Sequence, residues 1–195
     1  MKPMRTFVAV NVSSDTTKSA QRMMRQIDET GVGAKCVQTP SMHIALKFLG
    51  EVQIEDTPEI CKAVGRAAHG MLSFMIECGG LGAFPERSRP RTIWMGVQTG
   101  VTALRQLQER VDEETRHIGY HGETRQFHPH LTLARIRSTA EQAEPLQAVL
   151  NKYPLGPDST TTVTTETWVD EVIVYASIME RGTPSYEVLG RSRLR

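Results

Sequence analysis

Two histidines with the chemistry for proton transfer stand in matching local sequences. His130 opens His130-Leu131-Thr132-Leu133-Ala134-Arg135, and His43 opens His43-Ile44-Ala45-Leu46-Lys47-Phe48. In both, a proline lies shortly upstream (Pro129, Pro40) and a leucine stands three residues after the histidine. Both runs read as strands, whose successive side chains point to opposite faces. His130 and Thr132 then share one face, and Leu131 and Leu133 the other. In the earlier run His43 and Ala45 face one way, and Ile44, Leu46 and Phe48 the other. A strand that buries leucines on one face presents its histidine on the other, and two such strands can present two imidazoles to one ligand. Unperturbed imidazole titrates near neutrality. One ring can therefore start neutral, as base, while its partner starts protonated, as acid.

The elements that must position these strands follow from periodicity. Weak alternation and β-branched residues predict a first strand over 6–12. Ser13, Ser14, Asp15 and Thr16 offer N-caps for a helix running to Thr30, with Ala20, Met23, Met24 and Ile27 at helical spacing and Gly31-Val32-Gly33 closing it. The methionine pair reads as core packing. The first histidine strand covers 42–49. Thr57-Pro58-Glu59 opens a second helix that buries Ile60, Ala63, Val64 and Ala67 and runs toward Gly70. A strand over 71–77 is expected to break at Cys78-Gly79-Gly80-Leu81-Gly82. A basic loop with Arg87, Arg89 and Arg91 follows, either a solvated turn or a phosphate contact, then a strand over 92–97. Leu104, Leu107, Val111 and Ile118 predict a long amphipathic helix over 101–118. After the second histidine strand, Ser138-Thr139-Ala140-Glu141 has the form of a capping box opening a helix through Leu150. Residues 154–157 form a linker. Closing strands are expected over 160–167, 171–176 and 186–189, with a turn at 181–184. Helices are too few and strands too clustered for a regular doubly wound parallel sheet, so the predicted class is α+β with antiparallel sheets.

Composition bounds the ligand. At 195 residues the chain fits one compact domain, or two small lobes sharing a core. With a formal net charge of +1 it generates no broad field for long nucleic acid, so any nucleic-acid substrate would be met locally, at an end or a single nucleotide. Cys36, Cys61 and Cys78 make an odd count without CxxC spacing, which argues against a disulfide framework or structural zinc and for a reducing cytoplasm. No apolar run approaches membrane-spanning length, and no membrane contact is expected.

Further stretches extend the pattern. They are Arg5-Thr6-Phe7-Val8-Ala9-Val10, His43 through Glu51, Leu81-Gly82-Ala83-Phe84-Pro85 with Pro90, Arg91 and Trp94, and Pro129 through Ile136. This ordered set resembles the two-histidine (2H) phosphoesterases with their paired HxTx motifs, and specifically the bacterial and archaeal RNA 2′,3′-cyclic phosphodiesterases, also called LigT-like or ThpR proteins. The resemblance implies a single bilobal domain over 1–195. Each lobe would be an antiparallel sheet with outer helices, related by a pseudo-twofold, with the histidines facing each other across the cleft. It implies hydrolysis of RNA 2′,3′-cyclic ends, or of nucleoside 2′,3′-cyclic phosphates, to 2′-phosphomonoesters, with reverse 2′–5′ ligation left open. By resemblance His43 is the proton donor to the leaving oxygen, His130 the proton acceptor from water, and Thr132 a hydrogen-bond donor to phosphate. Neither a metal nor another cofactor is expected, since imidazolium and hydroxyl donors can hold the phosphoryl oxygens. A cytoplasmic monomer is expected.

Ala45 departs from the family pattern, which has threonine there; Ser41, Thr39 or a backbone N–H is the expected substitute donor. Phe48 falls by alternation with Ile44 and Leu46 in the core, the other reading being a base-stacking residue at the cleft rim. Arg135 falls on the leucine face, and phosphate contact there would require the strand to end or bulge. His128 reads as an outer neighbour of His130. Two rival readings stand beside this one. In the first, His117, His121, His128 and His130 ligate the metal of a metallohydrolase, which leaves His43 unexplained. In the second, the chain is a non-catalytic module that binds RNA ends.

Overall fold

The alternating and helical patterns condense, in a computed structural model, into an α+β fold; the structure describes residues 3–122, 126–136, 144–156, 164–180 and 183–195. The first strand, β1 (Met4–Asn11), is buried from Thr6 to Val10. Ser13 then caps α1 (Ser14–Glu29): its hydroxyl accepts the Thr16 amide at 3.1 Å, satisfying a donor that a helix start leaves open. Ala20, Met23, Met24 and Ile27 lie on the buried face of α1, as their spacing predicts. A short strand, β2 (Ala34–Cys36), precedes β3 (His43–Val52), which carries the first histidine. Helix α2 (Thr57–Ala68) buries Ile60, Ala63, Val64 and Ala67. Strands β4 (Phe74–Phe84) and β5 (Thr92–Thr99) follow, then α3 (Val101–Arg116) and the second histidine strand, β6 (His130–Ile136). Helix α4 (Glu144–Lys152) and strands β7 (Thr165–Val169), β8 (Glu171–Glu180) and β9 (Thr183–Arg193) complete the order.

Three sequence expectations change. The glycine run does not break β4. Gly79 pairs with Gly96 and Leu81 with Met95, and Gly80 sits between them as a bulge at φ 72°, a conformation open to a residue without Cβ. β2 went unpredicted because three residues leave no period to read. Thr183 and Pro184, expected in a turn, already belong to β9. The capping box at 138–141 and the first part of the threonine-rich stretch lie outside the described residues.

All pairings are antiparallel. One sheet has the order β3-β1-β8-β9 and the other β2-β6-β5-β4-β7. Leaving out β2, the two orders superimpose as β3-β1-β8-β9 on β6-β5-β4-β7, which places the histidine strands β3 and β6 at equivalent positions. The helices are exchanged. α1 leaves β1 to pack on the five-stranded sheet, with α4 beside it, while α3 leaves β5 to pack on β3 and α2. Each sheet thus has one helix-covered face, where the main core lies, including Val8, Ile44, Ile76, Leu104, Leu131 and Leu133. The other faces look into a cleft between the lobes, where β3 and β6 come together. A small second apolar cluster, Phe7, Ala9, Ile173 and Tyr175 with Tyr186 against it, lies on the cleft face of the four-stranded sheet. Among the described residues no helix is long and apolar enough to cross a membrane.

Candidate active site

Paired β-bulges set which side chains reach the cleft. Along β6, Thr132 pairs with Trp94 and Ala134 with Ile93, so Leu133 has no partner on β5. The extra residue shifts the alternation by one. Leu133 and Ala134 are both fully buried, and Arg135 turns out to the side of His130 and Thr132. This meets the condition that strict alternation had denied Arg135. β3 repeats the device: Ala45 pairs with Ala9 and Lys47 with Val8, leaving Leu46 unpaired. Leu46 and Lys47 are both buried, while Phe48 is 56% exposed. The expectation that Phe48 belongs to the core is therefore wrong. Alternation holds only as far as the bulge, beyond which Phe48 shares the histidine face, its ring 5.9 Å from that of Phe7.

Lys47 takes the core-facing position that Ala134 fills in the other lobe. A buried ammonium persists only when fully bonded. Its Nζ donates to Asp112 Oδ1 at 2.7 Å, to the Tyr120 carbonyl at 2.7 Å and to the Asp112 carbonyl at 3.3 Å. Arg116 also bonds Asp112. The network ties the first histidine strand to the end of α3.

The histidines are held alike. His43 Nδ1 lies 2.8 Å from the carbonyl of Ser41, and His130 Nδ1 lies 2.7 Å from that of His128, each two residues upstream. A carbonyl oxygen can only accept, so both Nδ1 atoms carry hydrogen and each Nε2 is left to act. A neutral ring then offers a lone pair and a protonated ring an N–H. Burial holds the pKa of His43 down at about 4; the Ser41 carbonyl opposes this, and the nearby His130 lowers it further. Burial also lowers the pKa of His130, against the His128 carbonyl and with help from His128 and Arg135. The effect of His130 on His43 puts the two rings within electrostatic reach of each other.

Beneath His43 the floor is aromatic. Ring centroids lie 4.7 Å away for Phe7, 5.2 Å for Tyr186 and 6.2 Å for Tyr175. Beneath His130, Trp94 at 5.8 Å and Phe84 at 5.1 Å do the same. Trp94 lies flat where a Cβ on Gly82 would stand, 2.2 Å from its ring carbons, so only glycine admits it there. Tyr186 faces Arg135 across the cleft. Burial raises its phenol pKa, and the arginine pulls it back. Asn11, Tyr175 and Tyr186 escaped the sequence reading. Alternation along β1 puts Phe7, Ala9 and Asn11 on one face, but nothing local brings β8 and β9 beside them.

Thr132 and Ala45 occupy equivalent half-buried positions beside their histidines. His128 is an exposed outer neighbour, 6.3 Å from His130 and 4.7 Å from Trp94 between ring centroids. In the basic loop Arg87 is structural, donating to the Leu81 carbonyl at 2.8 Å and toward Asn151 on α4, while Arg89 and Arg91 are exposed. The four-histidine cluster is not assembled. Among the described residues no three His, Cys, Asp or Glu side chains converge as metal ligands, with His117 capping α3 and His121 exposed beyond it.

Solved structures share this architecture. A protein of Thermus thermophilus matches with a TM-score of 0.78 at 24% identity over 98% of each chain. Escherichia coli LigT complexed with 3′-AMP matches at 0.73 and 24%, again over 98% of each. These show the two-sheet fold. The sequence matches the LigT like Phosphoesterase family over residues 10–94 and 97–158, and the chain belongs to that family. The RNA 2′,3′-cyclic phosphodiesterase of Thermotoga maritima is 31% identical over 186 residues, 95% of this chain and 93% of its own. That of Aeropyrum pernix is 40% identical over 116 residues, 60% of this chain and 65% of its own.

Proposed function

We propose that this chain hydrolyses the 2′,3′-cyclic phosphodiester of RNA ends to a 2′-phosphomonoester, with His43 and His130 as the acid–base pair. The observation that carries the reading is the matched pair of imidazoles on equivalent strands, each with Nδ1 bonded to a carbonyl and Nε2 without a partner among the described residues. A water attacks phosphorus and gives its proton to His130 Nε2. The bond from phosphorus to O3′ breaks, and His43 Nε2–H protonates O3′ as it leaves. The family resemblance supports this assignment of roles, since the near-symmetric geometry accommodates either. With His43 held near 4 in the free site, the acid form must be created by the substrate, whose negative charge favours imidazolium. Thr132 donates to a phosphoryl oxygen, Arg135 adds charge at the same wall, and Phe48 offers an exposed ring to a base. Attack by a ribose 5′-hydroxyl instead of water runs the same groups toward 2′–5′ ligation.

Incubation with a nucleoside 2′,3′-cyclic phosphate in the presence of chelator, followed by identification of the monoester isomer, tests the reading. A 2′-phosphate is expected; a 3′-phosphate or dependence on metal overturns it. Ala45 favours one second reading, a module that binds cyclic ends without turnover. Tight binding with no product would establish that one.

A further inference from the structure

The missing hydroxyl at Ala45 leaves the His43 wall without the donor that Thr132 gives the His130 wall. The pseudo-twofold shows where to look for its replacement. Opposite His130, in register on the neighbouring strand, stands Gly96, and opposite His43 stands Asn11. The two walls are thus complementary in donors. One has threonine at the motif position and glycine across the strand pair; the other has alanine at the motif position and asparagine across it. At Gly96 a Cβ would meet the Leu155 Cδ2 at 2.5 Å and the Gly79 carbonyl at 3.2 Å, so a side chain there would have to displace Leu155. At Asn11 there is room, and the side chain is exposed on the same face as Phe7 and Ala9.

Asn11 is also oriented. The Tyr175 hydroxyl donates to Asn11 Oδ1 at 2.8 Å. That phenol has no other hydrogen-bond partner among the described residues, so the bond favours Oδ1 on the tyrosine side; a flipped amide would donate to the phenol oxygen and leave the phenol proton to water. With Oδ1 occupied, the Nδ2 amide carries two N–H donors that have no partner among the described residues. Asn11 itself pairs with His43 at the end of β1 and is exposed on the cleft face. Of the expected substitutes, Thr39 lies out at the surface, where its hydroxyl accepts from Gln21 Nε2 at 2.8 Å, and Ser41 is buried ahead of the strand.

We propose that Asn11 Nδ2, aimed by Tyr175, donates a hydrogen bond to a phosphoryl oxygen of the substrate from the His43 wall, in the place of the donor absent at Ala45. The proposal rests on the phosphodiesterase reading of the same cleft. Asn11 is a substrate-contacting donor and Tyr175 a positioning residue. A preorganised donor meets the charge that grows on the phosphoryl oxygens during attack, so its effect falls mainly on kcat.

The test is a set of variants, Asn11→Ala, Ala45→Thr and their double, with Tyr175→Phe, assayed for hydrolysis of a nucleoside 2′,3′-cyclic phosphate and for thermal midpoint. Asn11→Ala is expected to lower kcat by about tenfold to a hundredfold, the cleft being open enough for water to recover part of the loss. Ala45→Thr should restore most of that activity in the Asn11→Ala background and raise activity less in the native one. Tyr175→Phe should give a smaller kcat loss than Asn11→Ala, because it frees the amide without removing it. A merely structural role for Asn11 could not be repaired from position 45. Activity of Asn11→Ala within twofold of the native protein, or a loss that Ala45→Thr leaves unrepaired in a folded double variant, overturns the proposal. Absence of turnover in the native protein would instead overturn the phosphodiesterase reading. Affinity for a nucleoside 2′-monophosphate then decides Asn11 by itself: weakened binding in Asn11→Ala supports it, and unchanged binding removes it.

Discussion

Binding of a phosphate should switch the protonation of His43. In the free site burial holds this imidazole at about 4, against an ordinary 6.5, so at neutral pH it is uncharged. A single negative charge about 4 Å from the ring, at an effective dielectric of about 20, favours the imidazolium by about 4 kcal/mol, equivalent to about three pH units. That returns His43 to the neutral range and creates the acid when it is needed. The assay is imidazole nitrogen NMR on histidine-labelled protein, with His43 assigned through His43→Gln, titrated alone and with saturating nucleoside 2′-monophosphate. His43 should stay neutral until well below pH 6 when free and titrate near neutrality when bound. In kinetics, the bell for kcat/KM should centre on the acid side of pH 6, since both free-site histidines are lowered, and the bell for kcat should lie at higher pH. Stability follows the same sign. The unfolded chain binds the His43 proton first, so the native state should lose up to about 3 kcal/mol as pH falls from 6.5 to about 4, a loss absent from His43→Gln. Ordinary titration of His43 in the free protein, or no rise on nucleotide binding, would refute the reasoning.

His43→Ala and His130→Ala should each cost roughly a hundredfold to ten-thousandfold in turnover with the fold retained, and the double variant less than their product; near-normal turnover in either single variant counts against the pair. Lys47→Met, which takes from Asp112 the buried one of its two cationic partners and leaves it Arg116, should destabilise by about 3 kcal/mol in urea unfolding, and adding Asp112→Asn should recover part of it. A loss below about 1 kcal/mol would show that the network does not hold β3. Phe48→Ala should raise KM by about tenfold through lost base stacking while leaving unfolding free energy within about 0.5 kcal/mol, because the ring is already exposed. An unchanged KM would put the base elsewhere.

The sequence alone determined the two histidine strands, the amphipathic faces of the helices and the α+β class, because each is written in a local period. Alternation around His43 and His130 was legible as far as Leu46 and Leu133, and it failed one residue later. Phe48 looked like core, Arg135 could reach the cleft only through a bulge and Lys47 drew no notice, because a bulge is a property of two strands and a sequence describes one. The glycines of β4 read as a break for the same reason: only pairing with β5 shows that the chain continues past Gly80. Tertiary structure alone decided what surrounds each imidazole. Tyr175 and Tyr186 stand more than a hundred residues from His43, and the two catalytic candidates sit in different sheets. Proton affinity depends on burial and neighbouring charge, which are fixed by that packing, so the sequence could supply two ordinary imidazoles but not their lowered pKa values or the bond from Tyr175 to the Asn11 amide.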